Sequence, residues 1–381
     1  GSEIVDNVTI EAPNIYAGVG LANNIVSKSF SMSHAKLIVF SKEIAEKGVK
    51  DMIETLVRSE EIRPDVFIAV ANTTANDYLT SVNPEMEVNP AQYYQLIYQK
   101  NQLVGIPDGQ LREFFTGLYT DNYDSILPVA GVIEGAGGNS QNDDKGQSKD
   151  GQNEGSEGSS ESLDSFESKS SDDKDENEKE KDAEKNTSKY EYDIKNYVGG
   201  ETAIEKKNKA EAIGAAVFEK DKMVGELGEV ETEICKILKG DYTYSYLTYY
   251  NNDTPDIPIT VKTTQQKKPK YKIDTDKKTV DIELYIESDL YSLPADYNVE
   301  NKIEDFERDV ANYTSSACTK FINNFTKKYN SDILKLNEKV KYKFLTNNQY
   351  NWFKKNVGWS EYKFSVCTNF KVRRTGLIVR E

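Results

Sequence analysis

Histidine occurs once in this 381-residue chain, at His34, and cysteine only three times. Those scarcities exclude a great deal. A two-histidine ligand set, and with it metal-dependent hydrolysis through HExxH, is ruled out by arithmetic. Cys235, Cys318 and Cys367 are far apart and show no CxxC or Cys/His spacing, so they read as buried free thiols rather than as a zinc site or a disulfide framework. No run of about eighteen apolar residues is present, so nothing reads as a membrane-spanning helix. The Walker lysine pattern and the GxSxG nucleophile turn are missing, which removes nucleoside triphosphates and a serine elbow as strong ideas. Positive charge is short as well: 48 Lys and Arg stand against 64 Asp and Glu, a net charge of −16. With no large basic surface to release counterions, a chain of this sign is expected to be repelled by nucleic acid and by anionic lipid headgroups. The opening Gly1-Ser2 reads as an expression scar, with any targeting segment expected to have been removed ahead of it.

What is present is unevenly spread. Hydrophobic residues make up 37% of the chain, low for a compact globule. Residues 141–189 hold 16 Asp/Glu against 8 Lys, half of the total charge, and their apolar residues are only Leu163, Phe166 and Ala183. Such a stretch cannot bury enough surface to offset the entropy of ordering it, and residues 134–190 are expected to be a disordered acidic insertion.

The flanks carry the fold. Lys36–Phe40 ("KLIVF") suits a buried strand, Ser41 caps a helix expected to run to about Ser59, and Asp65–Val70 ("DVFIAV") is the next buried strand. Ile44, Val49, Met52, Ile53, Leu56 and Val57 form the apolar face of that helix, so the unit is βαβ and the strands pair in parallel. Asn72-Thr73-Thr74 caps a short helix at Ala75–Thr80, and further helices are expected from Pro90 to Gln102 and from Gly109 to Tyr119, with "ILPVAGVI" returning as a strand. After the insertion, "AEAIGAAVFEKDKMVGEL" reads as a hairpin turning at Lys220-Asp221-Lys222, and "EVETEICKIL" as a helix. The period then becomes two: Val280, Ile282, Leu284 and Ile286 share one face of "TVDIELYIE", with "YTYSYLTYY" and "IPITVKTTQ" as neighbouring strands. A long helix is expected from about Asn298 to Tyr329 and a second at Asn347–Lys355, before a last strand with Tyr362, Phe364, Val366, Phe370 and Val372 on one face. The expected fold is mixed α/β and α+β and multidomain, with an N-terminal βαβ-containing region and a C-terminal antiparallel sheet covered by helices. Its parts are an α/β region at 1–133, the insertion at 134–190, a completing or linking hairpin and helix at 191–240, and an α+β domain at 241–381.

Candidate chemistry is sparse. A histidine-based triad must use His34, whose place at a strand entrance, with no nucleophile turn in the chain, favours a partly exposed polar residue. Gly18–Asn23 ("GVGLAN") begins like a dinucleotide fingerprint but lacks the third glycine and the later acidic residue, so a turn between two strands explains it better. Glu60-Glu61 and Glu304-Asp305 are expected on exposed helical faces, where solvated surface is the default over glycosidase acids. Asn251–Asp256 ("NNDTPD") lacks the central glycine of a calcium loop and carries Pro255, so it reads as a turn. Arg373-Arg374 could grip a phosphate or a partner's carboxylate, with pairing to acids of its own domain ahead of that. Five of the 24 tyrosines crowd into "YTYSYLTYY", which suits a half-wet strand or an interaction surface.

Three stretches in order, "SHAKLIVFSKEIAEKGVKDMIETLVRSEEIRPDVFIAVA", "AAVFEKDKMVGELGEVET" and "KVRRTGLI", resemble the C-subunit family of bacterial spore nutrient germinant receptors, the Ger(x)C lipoproteins. The resemblance covers nearly the whole chain apart from the acidic insertion. It implies a non-enzymatic subunit of several α/β or α+β domains. Such a subunit is anchored by a lipid on the outer face of the inner spore membrane. There it assembles with two integral-membrane receptor subunits to sense nutrients and trigger germination. It brings no catalytic, cofactor-binding or metal-binding residues, no cofactor and no nucleic-acid partner. This chain departs from the family pattern in lacking the lipid-bearing cysteine and in carrying the insertion. The alternatives are an extracytoplasmic solute-binding protein and a cell-wall hydrolase using Glu/Asp acids or His34.

Overall fold

A computed structural model describes residues 8–26, 29–82, 90–99, 105–120, 122–133, 198–201, 209–251, 254–292 and 303–374. All of them fall in one compact unit built from both flanks of the acidic stretch. The expected disorder of 134–190 lies outside the described residues.

β1 (Leu37–Ser41) and β2 (Phe67–Ala71) pair in parallel, in register from Leu37↔Phe67 to Ser41↔Ala71. β3 (Ile126–Val132) runs parallel to β2. β4 (Ala210–Glu219) and β5 (Lys222–Leu227) then add as an antiparallel hairpin, giving the order β1-β2-β3-β4-β5. β2 is buried at all five positions because both faces are covered. Ile68 and Val70 pack with Ile53, Leu56, Phe114 and Phe218, whereas Phe67, Ala69 and Ala71 pack on the other side with Tyr78 and Tyr98. The covering helices are α1 (Ile15–Ile25), α2 (Lys42–Lys47), α3 (Lys50–Val57), α4 (Ala75–Ser81), α5 (Pro90–Tyr98) and α6 (Leu111–Thr120).

Two local expectations change. The single helix from Ser41 to about Ser59 is two helices. Ser41 does cap the first, its hydroxyl accepting from Ile44 N–H, but the chain breaks at Gly48, which has φ 121°. A Cβ there would lie 2.6 Å from the Asp221 carboxylate, and the N–H of Val49 donates to the Asp221 carbonyl at 3.0 Å. The β4–β5 turn therefore docks into the helix and splits it, leaving Ile44 and Val57 on the exposed edge. Gly18–Asn23, expected as a turn, lies inside α1. Asn14 caps that helix at 2.9 Å, and cap and Ala22 burial together offset the roughly 1 kcal/mol cost of each interior glycine. The helix expected to reach Gln102 ends at Tyr98, with Gln99 in a bend and residues 100–102 outside the described set; the start expected near Asn298 is described from Ile303, residues 298–302 lying outside it.

α7 (Glu229–Lys239), closed by Gly240 in the left-handed conformation, leads to a second sheet of order β6-β7-β8-β9. Its strands are β6 (Tyr244–Asn251), β7 (Thr254–Asp274), β8 (Thr279–Ser292) and β9 (Lys363–Arg374). The first two pairings are antiparallel, as expected. The third differs: β9 is parallel to β8, from Thr279↔Lys363 onward. Parallel neighbours need a long crossover, and α8 (Ile303–Tyr329) lies in the connection that supplies it.

The same helix seals the free edge of β9. Asn323, Thr319 and Ser315 bond to the backbone of Phe364, Val366 and Thr368 at 2.9–3.1 Å, and Glu307 accepts from Val372 N–H at 2.8 Å. Every fourth residue of a helix advances about 6 Å and every second residue of a strand about 6.6 Å, so the two ladders keep step. An edge strand is thereby covered rather than left open to another chain. At its end, Tyr329 occupies the space that a Cβ on Gly225 of β5 would need. α9 (Leu336–Val340), a 3₁₀ turn at Lys341–Lys343, and α10 (Asn347–Asn356) follow. Ile126, Ala215, Val217 and Leu227 of the first sheet share one core with Val280, Ile282, Phe321, Leu334 and Trp359, so the halves are fused through apolar contact.

Candidate functional site

The residues singled out in the sequence stay apart. His34 sits exposed in the turn before β1, with no partner for its ring among the described residues. Glu60-Glu61 lie beyond α3 in a bend, not on a helical face, because α3 ends at Val57; Glu61 accepts from Met32 N–H at 2.9 Å. Asp305 pairs with Arg308 at 2.6 Å on the exposed side of α8. Arg373 pairs with Glu287 on the adjacent strand, so the domain's own acid takes that guanidinium. Of "NNDTPD", Asn251 ends β6 and Thr254 opens β7, with residues 252–253 outside the described set. Tyr242 is buried, while Tyr244 and Tyr246 meet edge to face at 5.9 Å.

The concave feature lies elsewhere, in a cavity of about 400 Å³ where α6, α7 and the segment after α8 converge. Its lining carries Asp108, Glu113, Asp124 and Asp241 against Lys236, Lys239 and Lys335, with the Tyr123 ring among them. Lys236 and Lys239, three apart in the last turn of α7, share a helical face. Lys236 is only 5% exposed and donates from Nζ to the Ile106 carbonyl at 2.8 Å. Burial pushes its ammonium down to about 8. Lys335, held at φ 58°, donates to Glu113 at 2.9 Å and lies 4.3 Å over the Tyr123 ring. Burial works against the ionised Glu113, yet Lys335 and the Tyr123 hydroxyl hold its carboxyl below the usual range. Asp108 is shifted upward by burial. The lining brings the Ser125 and Thr243 hydroxyls together with these carboxylates and ammonium groups, an arrangement suited to recognising charge.

Beside the cavity runs a polar seam. Asp332 N–H donates to the Asp124 carboxylate at 2.9 Å, and Asp124 N–H donates to the Asp332 carbonyl at 3.1 Å. The Asp332 carboxylate accepts from the N–H groups of Leu336 and Asn337 at 2.7 and 2.8 Å, capping α9. Burial pushes this carboxyl up to about 7, against the pull of those two N–H groups. Tyr350 donates to Asn122 at 3.2 Å, and Lys354 donates to Asn122 and to the Thr120 carbonyl at 3.0 and 2.9 Å. Sequence reasoning missed these residues because they come from four distant segments. One signal was readable: Lys236 interrupts the apolar stripe of "EICKIL", a place where a lysine needs a buried acceptor.

Among the described residues, no three His, Cys, Asp or Glu side chains converge as metal ligands, and no helix is long and apolar enough to cross a membrane. Two family models match the chain in order. The spore germination protein N-terminal domain covers residues 1–132, and the spore germination B3/GerAC-like C-terminal domain covers residues 213–376. The spore germination protein GerQC of Bacillus cereus is 27% identical over 104 residues, 27% of this chain and 29% of that protein. The match thus spans less than a third of that relative's length. The crystal structure of the GerBC protein superposes with a TM-score of 0.55 at 14% identity, over 89% of this chain and 79% of that one, a likeness of fold.

Proposed function

This chain belongs to the GerAC-like family of spore germination proteins, and on that premise we propose that it is the C subunit of a spore germinant receptor and performs no catalysis. It is held at the outer face of the inner spore membrane by an N-terminal lipid. There it assembles with two integral-membrane subunits to sense nutrients and trigger germination. The observation that carries this reading is the pair of family domains matched in their proper order on one fused fold. The test is co-purification of the lipidated chain with the two membrane subunits from spores, with crosslinks mapped to residues. Recovery of the chain in a fraction free of both subunits would overturn the reading.

The charged cavity favours a second reading, an extracytoplasmic solute-binding protein acting alone. Calorimetric titration of the isolated chain with amino acids and sugars separates the two. Saturable micromolar binding without any membrane subunit would support the solute binder.

A further inference from the structure

Leu345, Tyr342 and Trp352 are 95%, 79% and 69% exposed, the three most exposed large apolar side chains among the described residues. They share one lobe, made by the 3₁₀ turn at Lys341–Lys343, the loop to Thr346, and α10. The lobe is not loosely packed. Phe344 and Phe353 lie 4.9 Å apart beneath it, and Phe353 meets the buried Trp359 edge to face at 6.2 Å. A firm aromatic base therefore presents three apolar tips to solvent, around a shallow groove lined by Phe344, Leu345, Trp352 and Phe353.

The charge around these tips reverses that of the chain. Between Ile333 and Ser360 there are six lysines and one carboxylate, Glu338, in a protein of net charge −16; Lys335 is paired with Glu113, Lys354 donates to Asn122 and Lys339 to the Leu334 carbonyl, which leaves Lys341, Lys343 and Lys355. Lys341 and Lys355 flank the tips on exposed positions, while the Lys343 ammonium donates to the Ile273 carbonyl. Asp274, beside Lys343, accepts from the backbone N–H groups of Asp276 and Lys277, which hold its carboxyl below the usual range, so an anion lies next to that lysine and the positive charge rests on Lys341 and Lys355.

We propose that this lobe docks on an anionic lipid surface. Leu345 and Trp352 enter the boundary between headgroups and acyl chains, Tyr342 lies at headgroup level, and Lys341 and Lys355 face lipid phosphates. Tryptophan and tyrosine favour that boundary because each has an apolar body and a polar edge, and lysine stems lie along apolar surface while their ammonium groups stay wet. Projecting apolar tips flanked by exposed lysines suit a fluid anionic surface, whereas the centre of a protein interface is depleted of charge. The overall acidity that argues against anionic headgroups is an average, and it does not hold at this lobe. Docking stands on the lobe alone and survives if the receptor-subunit reading fails.

The test uses the full chain with phosphatidylglycerol/phosphatidylcholine vesicles at low salt, and phosphatidylcholine vesicles for comparison. The chain has two tryptophans, and Trp359 is 2% exposed, so a blue shift on vesicle addition reports Trp352. The expected result is co-sedimentation and a blue shift with the anionic vesicles alone, reversed by high salt. Lys341→Gln and Lys355→Gln should each weaken partitioning by roughly fivefold. Leu345→Ser should abolish the shift and leave the thermal midpoint unchanged. Absence of partitioning at low salt overturns the proposal. So does equal binding to both vesicle types, or self-association that Leu345→Ser and Trp352→Ser disrupt, which would assign the lobe to a second copy of the chain.

Discussion

Replacing Asp332 by Asn should flatten the pH dependence of stability between about pH 5 and pH 8. In the folded chain burial raises this carboxyl to about 7, from an ordinary 3.8. Across that interval the folded state keeps a proton that the unfolded state has released, so stability falls as pH rises. The contribution is greatest below the unfolded value and is lost progressively until pH passes the folded value. Integrated from pH 5 to pH 8, the loss is about 2–3 kcal/mol for the native residue and absent for Asn. Asn also carries one acceptor oxygen where Asp332 serves both Leu336 and Asn337 N–H groups. The variant should therefore begin about 1–3 kcal/mol less stable at pH 5 and draw level by pH 8. Urea unfolding at half-unit pH steps, followed through the buried Trp359, measures both curves. If the two stabilities run parallel with a constant offset, Asp332 does not hold a proton at the seam and the reasoning fails.

Lys236→Met should leave stability unchanged or raise it at pH 7, because an ammonium pushed down to about 8 is costly to keep charged in the fold. The native chain should then gain on the variant by up to about 3 kcal/mol between pH 8 and 10.5, where unfolded lysine stays charged and Lys236 does not; chemical denaturation across that range checks it. Thr319→Val leaves the Val366 N–H without its acceptor and should cost about 1–3 kcal/mol, with faster amide exchange at Val366 than elsewhere on β9. Thiol labelling under native conditions should modify Cys367 readily, because it is exposed. Cys235 and Cys318 should react only on unfolding, since both are buried and burial pushes their thiols upward, Cys318 to about 12.

Elements with a strong local signature were legible before any coordinates. The strands at β1 and β2, the Thr74 cap and the two-residue period of β8 and β9 all follow from patterning, but of the two runs expected to be buried only β2 is, since β1 lies at the sheet edge and buries Phe40 alone. What patterning missed depends on distant residues. Gly48 ends a helix because the Asp221 turn, far along the chain, packs there. The parallel pairing of β9 depends on the path of α8, and period-two alternation is the same for either strand direction. Cys367 was expected buried and lies on the exposed face of β9, since alternation assigns it there once Val366 faces the core. The cavity was illegible for the same reason, its charges coming from segments that only the folded chain assembles. The lysine-rich lobe was visible as composition, but nothing in the pattern said that Leu345 and Trp352 would project.

α8 spans 27 residues, about 40 Å of continuous helix. Along its length it is stitched to β9, and its last residue rests on Gly225 of the other sheet. Immediately beyond, Asp332 is tied to Asp124, two residues before the middle strand of that sheet. Mechanically this is a strut clamped at its side and its end, with no hinge between clamps. Sliding this helix along its axis would strain its contacts with β9 and β5 and the Asp332–Asp124 tie beside β3 together, so one element couples the two sheets.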